Sequence, residues 1–313
     1  MNKQVSVEIG GTKQQIAIGL ETGEILEIKS VKLGKKTEAG EILEWLRLNL
    51  HEILDRERVE GIGVGFGGPL EFSTGRVLCS LQVPGWQDFK LKEWFEREFK
   101  VPSVIINDTV LGGIGELILG NGVGSSRFFY TNIGTGVGGG FYLDQKYYDG
   151  SGCGASYLGN TWIPDWTKGK PGEKTRLELL CSGRSIERRI NSMGYIPERS
   201  FLRQKTGWIT CKDLAEGARA GDIFCLEELD KIAAAFSLGL ANTLALLAPD
   251  CIVIGGGVAK MGEILFSRIR RYTDEMAFVA NQRHYKILES HLGDRAVLAG
   301  GLLAAGKRGV NCV

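Results

Sequence analysis

The sequence has no C-x-x-C pair, although it contains 7 cysteines. They are scattered at 79, 153, 181, 211, 225, 251 and 312. An odd count with no C-x-x-C pair argues against a cysteine-rich zinc site and fits reduced thiols in the cytoplasm. Cys312 is the penultimate residue, the wrong place for prenylation. An excess of one charge is also missing, with 38 lysines and arginines against 37 aspartates and glutamates. A net charge of +1 gives no electrostatic reason to expect nucleic acid or an acidic membrane as partner. Met1-Asn2-Lys3-Gln4 runs directly into a strand pattern, so no charged-then-apolar leader is expected. No long apolar run is unbroken. Ile232 to Ala248 comes nearest, but Ser237, Gly239 and Asn242 interrupt it, which reads as a buried core helix. Histidine is scarce: His51, His284 and His291 are isolated and read as structural or surface residues.

Glycine is abundant, at 45 residues, and comes in clusters rather than a repeat. Clusters imply special backbone turns, not collagen or linker. A length of 313 residues, at roughly 150 per domain, suggests two domains. Val5–Ile9 reads as a strand, followed by the Gly10-Gly11 turn, a second strand over Gln15–Leu20 and a third from Ile25. Ile42, Leu43, Leu46, Leu50, Ile53 and Leu54 recur at helical spacing. Gly61–Phe66 is a buried strand, Leu91–Phe99 a helix, Ser103–Ile106 a strand, and Val110–Ile118 a helix. The second half opens on a strand at Phe128–Ile133, a glycine turn at 134–140, and strands at 141–143 and 146–148. Ile9-Gly10 and Ile133-Gly134 therefore hold equivalent places in a weak internal duplication, and two similar halves suit one ligand. Residues 163–173 read as a loop, 177–189 as a helix, 213–247 as mostly helical, 251–254 as a strand and 296–306 as a small apolar helix. The order is α/β. A hinge is expected at 109–112, since no linker composition divides the chain.

Three glycine turns each follow an apolar strand. Without a Cβ, backbone N–H groups can approach an anion closely. Gly10, Gly11, Thr12 and Lys13 add a hydroxyl and a cation, as a phosphate requires. Gly134, Thr135 and Gly136 supply N–H groups and a second hydroxyl. Gly255, Gly256 and Gly257 lack polar side chains and suit a flat adenine or ribose. None is a G-x-x-x-x-G-K-[ST] loop or a helix-opening G-x-G-x-x-G. One such turn is ordinarily structural; three in two similar halves point to nucleotide. Asp108, at the end of a strand and the start of a helix, reads either as a base for a substrate hydroxyl or as a helix cap. Glu8 reads either as a water-mediated magnesium ligand or as a strand carboxylate. Trp162 and Trp166, with Pro164, read as loop anchors or as a surface for stacking on a sugar.

These residues resemble the ROK family of repressors, open reading frames and sugar kinases, across essentially the whole chain. Glu8-Ile9-Gly10-Gly11-Thr12-Lys13 resembles its first phosphate loop, D-x-G-G-T-K. Gly63 to Pro69 resembles G-x-G-x-P-G-P, and Val83-Pro84-Gly85-Trp86 resembles N-L-P-G-W. Asn107-Asp108 matches the end of E-N-D, and Ile133 to Gly140 matches the second phosphate loop. Leu177-Glu178 with Ser182-Gly183-Arg184, Ala218 to Asp222, and Val253 to Val258 are also similar to family segments. The resemblance implies an actin-like ATPase (ribonuclease H-like) fold, with two α/β domains around a cleft. The first domain is expected over 1–110, completed by a C-terminal helix at 297–313, and the second over 111–296. It also implies transfer of the ATP γ-phosphate to a sugar hydroxyl, with Asp108 as base and Mg2+ at Glu8. Gly67, Gly68, Asn107, Asp108, Tyr157, Asn160 and Glu178 are the implied sugar side. A cytoplasmic homodimer is implied, with no nucleic-acid or membrane partner.

The sequence departs from that pattern on the sugar side. The family's E-x-G-H motif, with its sugar-binding Glu and zinc-binding His, is Tyr157-Leu158-Gly159-Asn160 here. The zinc cysteines should fall between Trp162 and Glu178, where none occurs, so no zinc is expected. Glu8 replaces the usual Asp, and Gln82 the usual asparagine of N-L-P-G-W. Three readings follow: a kinase for an unusual sugar or polyol, a degenerate member that binds without turnover, and a transcriptional regulator. Only seven residues precede Glu8, leaving the regulator reading no DNA-binding segment there.

Overall fold

The computed structural model describes residues 2–34, 36–80, 82–151, 153–169 and 172–306. It divides into two compact units. One comprises Met1–Tyr130, Gly140–Ser156 and Ser290–Val313; the other comprises Thr131–Gly139 and Tyr157–Glu289.

The first unit is built on β1 (Lys3–Ile9), β2 (Lys13–Leu20), β3 (Ile25–Lys32), β4 (Val59–Phe66) and a short outer strand, β8 (Ser103–Asn107). The sheet order is β3-β2-β1-β4-β8. β1 pairs antiparallel with β2 and parallel with β4. Between β4 and β8 lie β5 (Leu70–Glu71), β6 (Arg76–Val77) and β7 (Phe89–Lys90), a small separate sheet that the sequence pattern did not suggest. Alternation along the strands assigns the two faces. Val5, Val7, Ile9, Ile62, Val64 and Phe66 form one apolar face. Helices α1 (Ala39–Arg56) and α2 (Leu91–Phe99) cover it through Ile42, Leu46, Leu50, Leu91 and Phe95.

The opposite face is nearly bare of side chains. Ser6, Gly19, Gly61, Gly63 and Gly65 alternate with the apolar residues, and α9 (Ala296–Ala305) rides on them. A Cβ on Gly63 would lie 2.0 Å from the Gly301 carbonyl oxygen. One on Gly301 would lie 2.0 Å from Ser6 Oγ. α3 (Asp108–Leu119) crosses α9 just as closely: a Cβ on Gly300 would fall 1.8 Å from the Leu111 carbonyl oxygen. Glu116 of α3 is fully buried. Its carboxylate accepts hydrogen bonds from Ser290 Oγ and from the amides of Asn121, His291 and Leu292, which fixes the segment leading into α9. The expected hinge at 109–112 lies inside α3, which runs unbroken from Asp108 to Leu119. The expected helix at 297–313 is seen to Ala305, and residues 307–313 lie outside the described residues.

The second five-stranded sheet repeats this plan. β9 (Arg127–Ile133), β10 (Val137–Leu143), β11 (Lys146–Tyr147), β14 (Cys251–Gly255) and β15 (Lys286–Glu289) take the order β11-β10-β9-β14-β15. β10–β11 is antiparallel, like β2–β3, and β14–β15 is parallel, like β4–β8. The duplication read from the Ile-Gly turns is thus a duplication of topology.

In the second unit, two sequence expectations change. The loop expected at 163–173 is bounded by an antiparallel hairpin, β12 (Trp162–Pro164) with β13 (Lys174–Arg176). The helix expected over 177–189 is two, α4 (Glu178–Cys181) and α5 (Gly183–Asn191), because Ser182 leaves helical geometry and caps α5. Likewise α6 (Cys211–Arg219) and α7 (Ile223–Leu247) are separated by Gly221, at φ +81°, and by the Asp222 cap on Cys225 N. α7 is long and apolar enough to span a membrane, but most of it is buried in the protein, and Ser237 Oγ bonds the Ile269 carbonyl of α8 (Glu263–Met276). It is a core helix.

Candidate active site

In the first unit, the ends of three neighbouring strands gather the sequence candidates. β1 ends in Gly10–Lys13, β4 in Gly67-Gly68, and β8 in Asn107-Asp108. The Gly67 amide donates to Ile9 O at 2.9 Å, joining the first two turns. A Cβ on Gly67 would stand 3.1 Å from Asp108 Oδ2 and 3.7 Å from Gly10 Cα. Glycine at 67 therefore lets the Asp108 carboxylate face the first phosphate-loop candidate.

The choice between base and cap at Asp108 is resolved in part by its neighbour. Asn107 is the N-cap: its Oδ1 accepts from Thr109 N at 3.0 Å. Its Nδ2 donates to the carbonyls of Phe66 and Gly68 at 3.4 and 3.3 Å. Asp108 is the first helical residue. Its Oδ1 accepts from Thr109 N at 2.7 Å and from Thr109 Oγ1 at 3.4 Å. Burial raises the Asp108 carboxyl above the ordinary aspartate range, and the Thr109 donors oppose this. A carboxylate with one oxygen anchored and enhanced proton affinity is suited to take a proton from a hydroxyl.

Glu8 lies opposite Gln15 in the β1–β2 register. Lys13 Nζ donates to Gln15 Oε1 at 2.6 Å and lies 3.6 Å from Glu8 Oε2. Glu8 Oε2 is buried and makes no hydrogen bond. Burial pushes the Glu8 carboxyl up to about 7; Lys13 opposes the shift, and Asp108 and Asp294 add to it. No group of three His, Cys, Asp or Glu side chains among the described residues can hold a metal. A cation here would rest on Glu8 and on phosphate oxygens, the usual way Mg2+ is held, and Oε2, which makes no hydrogen bond, fits a water of its shell.

The Glu8 shift has a measurable consequence. A carboxyl that ionises near 4.5 unfolded and about 7 folded favours folding when protonated. Stability should therefore fall as pH rises between those values, and the loss is complete above the upper one. Glu8→Gln should flatten that slope and exceed the wild type at about pH 8 by on the order of 3 kcal/mol. Denaturant melts across the pH range read this; parallel curves for the two proteins would refute it.

Gln82 was noted in the sequence only as a departure. Its side chain lies over the first turn: a Cβ on Gly11 would fall 1.5 Å from Gln82 Oε1, a buried oxygen without a hydrogen bond.

In the second unit the turn after β9 is held from two sides. Gly134 N donates to Gly136 O at 2.9 Å, and Gly183 N, opening α5, donates to Gly134 O at 2.8 Å. Thr135, half-buried, sits between those two glycines. A Cβ on Gly136 would come within 3.1 Å of Glu178 Oε2, so the second phosphate-loop candidate and the carboxylate expected on the sugar side are neighbours. Gly255 ends β14. Gly256, at φ +92°, presses on the backbone of Ile133 and admits no side chain. Gly134 and Gly257 have open space where a Cβ would project. Tyr157 is half-buried just before a single 3-10 turn, Leu158–Asn160. Asn160 is exposed and engaged elsewhere, its Oδ1 accepting from Arg176 Nη1 at 2.9 Å.

Two five-stranded sheets of matching order, glycine turns at strand ends and an aspartate at a strand–helix junction define an actin-like ATPase fold. The chain belongs to the ROK family, whose model matches residues 4–307. It is 32% identical to a glucokinase from Halalkalibacterium halodurans, over 96% of this chain and 94% of that protein. It is 27% identical to a putative xylose repressor from Caldicellulosiruptor sp., over 95% of this chain but 76% of the repressor. A ROK family glucokinase from Streptomyces griseus, crystallised with glucose and AMPPNP, superposes with a TM-score of 0.83. That structure is 25% identical and covers 97% of this chain and 99% of its own.

Proposed function

We propose that this protein transfers the γ-phosphoryl group of ATP to a hydroxyl of a sugar or sugar derivative. The observation that carries this reading is Asp108, with Oδ1 anchored by Thr109 and Oδ2 beside Gly67, which packs against Gly10. Asp108 is the base that takes the proton of the attacking hydroxyl. Gly10, Gly11, Thr12 and Lys13, with Gly134, Thr135 and Gly136, hold phosphates through N–H groups, hydroxyls and the lysine. Gly255, Gly256 and Gly257 form a surface for adenine or ribose. Glu8 holds Mg2+ through water, and the ion, when bound, neutralises charge on the transferring phosphate. Gly67, Gly68, Asn107, Tyr157, Asn160 and Glu178 line the sugar side. The relatives named as glucokinases and the glucose–AMPPNP complex support sugar and ATP as ligands. A cytoplasmic, zinc-free homodimer without nucleic-acid or membrane partners completes the reading.

Tyr157 stands where a charged acceptor is usual, and replacing a hydroxyl-binding carboxylate strongly alters specificity. A substrate other than glucose follows. Mg-ATP should be offered with a panel of hexoses, amino sugars, N-acetylated sugars and polyols, and the products weighed by mass spectrometry. A phosphorylated product from at least one is expected. Tight ATP binding with no product from any would replace this reading with a degenerate binding protein, which the occupied Asn160 side chain favours.

A further inference from the structure

The second unit holds a buried polar cluster away from the glycine turns. Arg189 of α5 lies with its guanidinium 4.7 Å from the centre of the Trp166 ring. Trp166 sits in the loop between β12 and β13. Arg189 Nη1 donates to the Leu180 carbonyl of α4 at 3.0 Å. Its Nε lies 3.6 Å from Glu228 Oε2, on α7, and Glu228 is 1% exposed. Lys231 Nζ donates to Glu228 Oε1 at 2.8 Å and lies 5.7 Å from the Trp166 ring centre. One guanidinium therefore ties three elements together: the hairpin loop, the short helix opened by Glu178, and α7.

Three observations say that this cluster is more than packing. α4 has 4 residues, too few to hold its own geometry, so what holds its end carbonyl fixes where Glu178 points. The hairpin strands pair over only 3 residues each, and they enter from Asn160 and exit into Leu177. Leu177 N donates to Thr161 O at 2.9 Å, so a shift of the hairpin moves Glu178 directly. A charge with partly unmet hydrogen bonds is an expensive way to pack a loop; Arg189 Nε and Nη2, Trp166 Nε1 and Glu228 Oε2 all lack one.

We propose that Arg189 is a positioning residue for the sugar side, presetting Glu178 by joining Trp166, the Leu180 carbonyl and Glu228. It rests on the sugar-kinase reading only for the claim that Glu178 meets the substrate. Arg189→Met would leave the buried Glu228 carboxylate with Lys231 alone, so Arg189→Met with Glu228→Gln is the primary variant. Trp166→Phe keeps an aromatic face and is the conservative control.

The first measurement is amide hydrogen exchange on the sugar-free protein, which needs no activity. The double variant should exchange about tenfold faster across 160–169 and 172–182, with α3 unchanged, and Trp166→Phe should stay near wild type. The second is steady-state kinetics with the best sugar of the panel. KM for the sugar should rise about tenfold, with kcat and KM for ATP within about threefold. Unchanged exchange in the double variant overturns the proposal. So does faster exchange with an unchanged sugar KM, since Glu178 would then not depend on the cluster. Loss of protection throughout the second unit also overturns it, by making Arg189 a general core residue. Wild-type inactivity on every sugar would count against the sugar-kinase reading alone, and the exchange data would still decide the positioning of α4.

Discussion

Asp108→Asn should lower kcat for phosphoryl transfer by about 10²- to 10⁴-fold, the usual contribution of a positioned base. Asparagine has the same shape, and its Oδ1 can still accept from Thr109 N and Thr109 Oγ1, as Asp108 does at 2.7 and 3.4 Å. The strand–helix junction should therefore fold unchanged, since its cap is Asn107. What is lost is the second oxygen, the one facing Gly67 and the first glycine turn. ATP affinity, read by calorimetry, should stay within a few-fold, because the phosphate contacts are assigned to backbone N–H groups and Lys13. Burial raises the proton affinity of this carboxyl, so wild-type kcat/KM should fall on the acid side at a pH above that of an ordinary aspartate. A variant with full turnover would leave Asp108 a structural carboxylate and remove the main support for the kinase reading.

Gly300→Ala should be the most destabilising single methyl in the first unit. Its Cβ would lie 1.8 Å from the Leu111 carbonyl oxygen and 3.2 Å from Gly115 N, both rigid backbone of α3. No flexible side chain can give way, so α3 and α9 must separate. The expected loss is about 4 kcal/mol, at the upper end for point changes and a large share of a domain's net stability. Gly40→Ala in α1 is the matched control, because nothing lies within 4 Å of its Cβ. There alanine should be neutral or gain about 0.5 kcal/mol through lower unfolded-state entropy. Chemical denaturation of the two variants separates packing from propensity. Equal melts would mean that the close helix crossing does not contribute as its geometry implies.

Much of this was readable from residue order. The alternation Gly61-Ile62-Gly63-Val64-Gly65-Phe66 marked a buried strand, and the turns after Ile9 and Ile133 marked the repeated plan now seen in both sheets. The family followed from the same turns. The reason for the alternation was not readable, since it depends on α9, more than two hundred residues further along the sequence. Spacing alone left Asp108 poised between base and cap, and only the structure shows that Asn107 caps α3. The hairpin at 162–176 was hidden because three-residue strands carry no usable period. Trp166 was read as a loop anchor or a sugar platform, and its contact with Arg189 favours the anchor. Glu228 looks like any surface glutamate of a long helix until its burial is known.

The glycine face under α9 also sets a timetable for synthesis. β1, β2 and β4 leave the ribosome early, with α1 and α2 available to cover one side of their sheet. On the other side α3 reaches Gly65, but the rest of the glycine face waits for α9. At roughly 5 to 20 residues per second, the interval between α3 and α9 lasts on the order of ten seconds or more. Until then the glycine face of the nascent sheet lacks the helix that packs on it. Strands β1, β2 and β4 are thus translated well before the helix that completes their sheet.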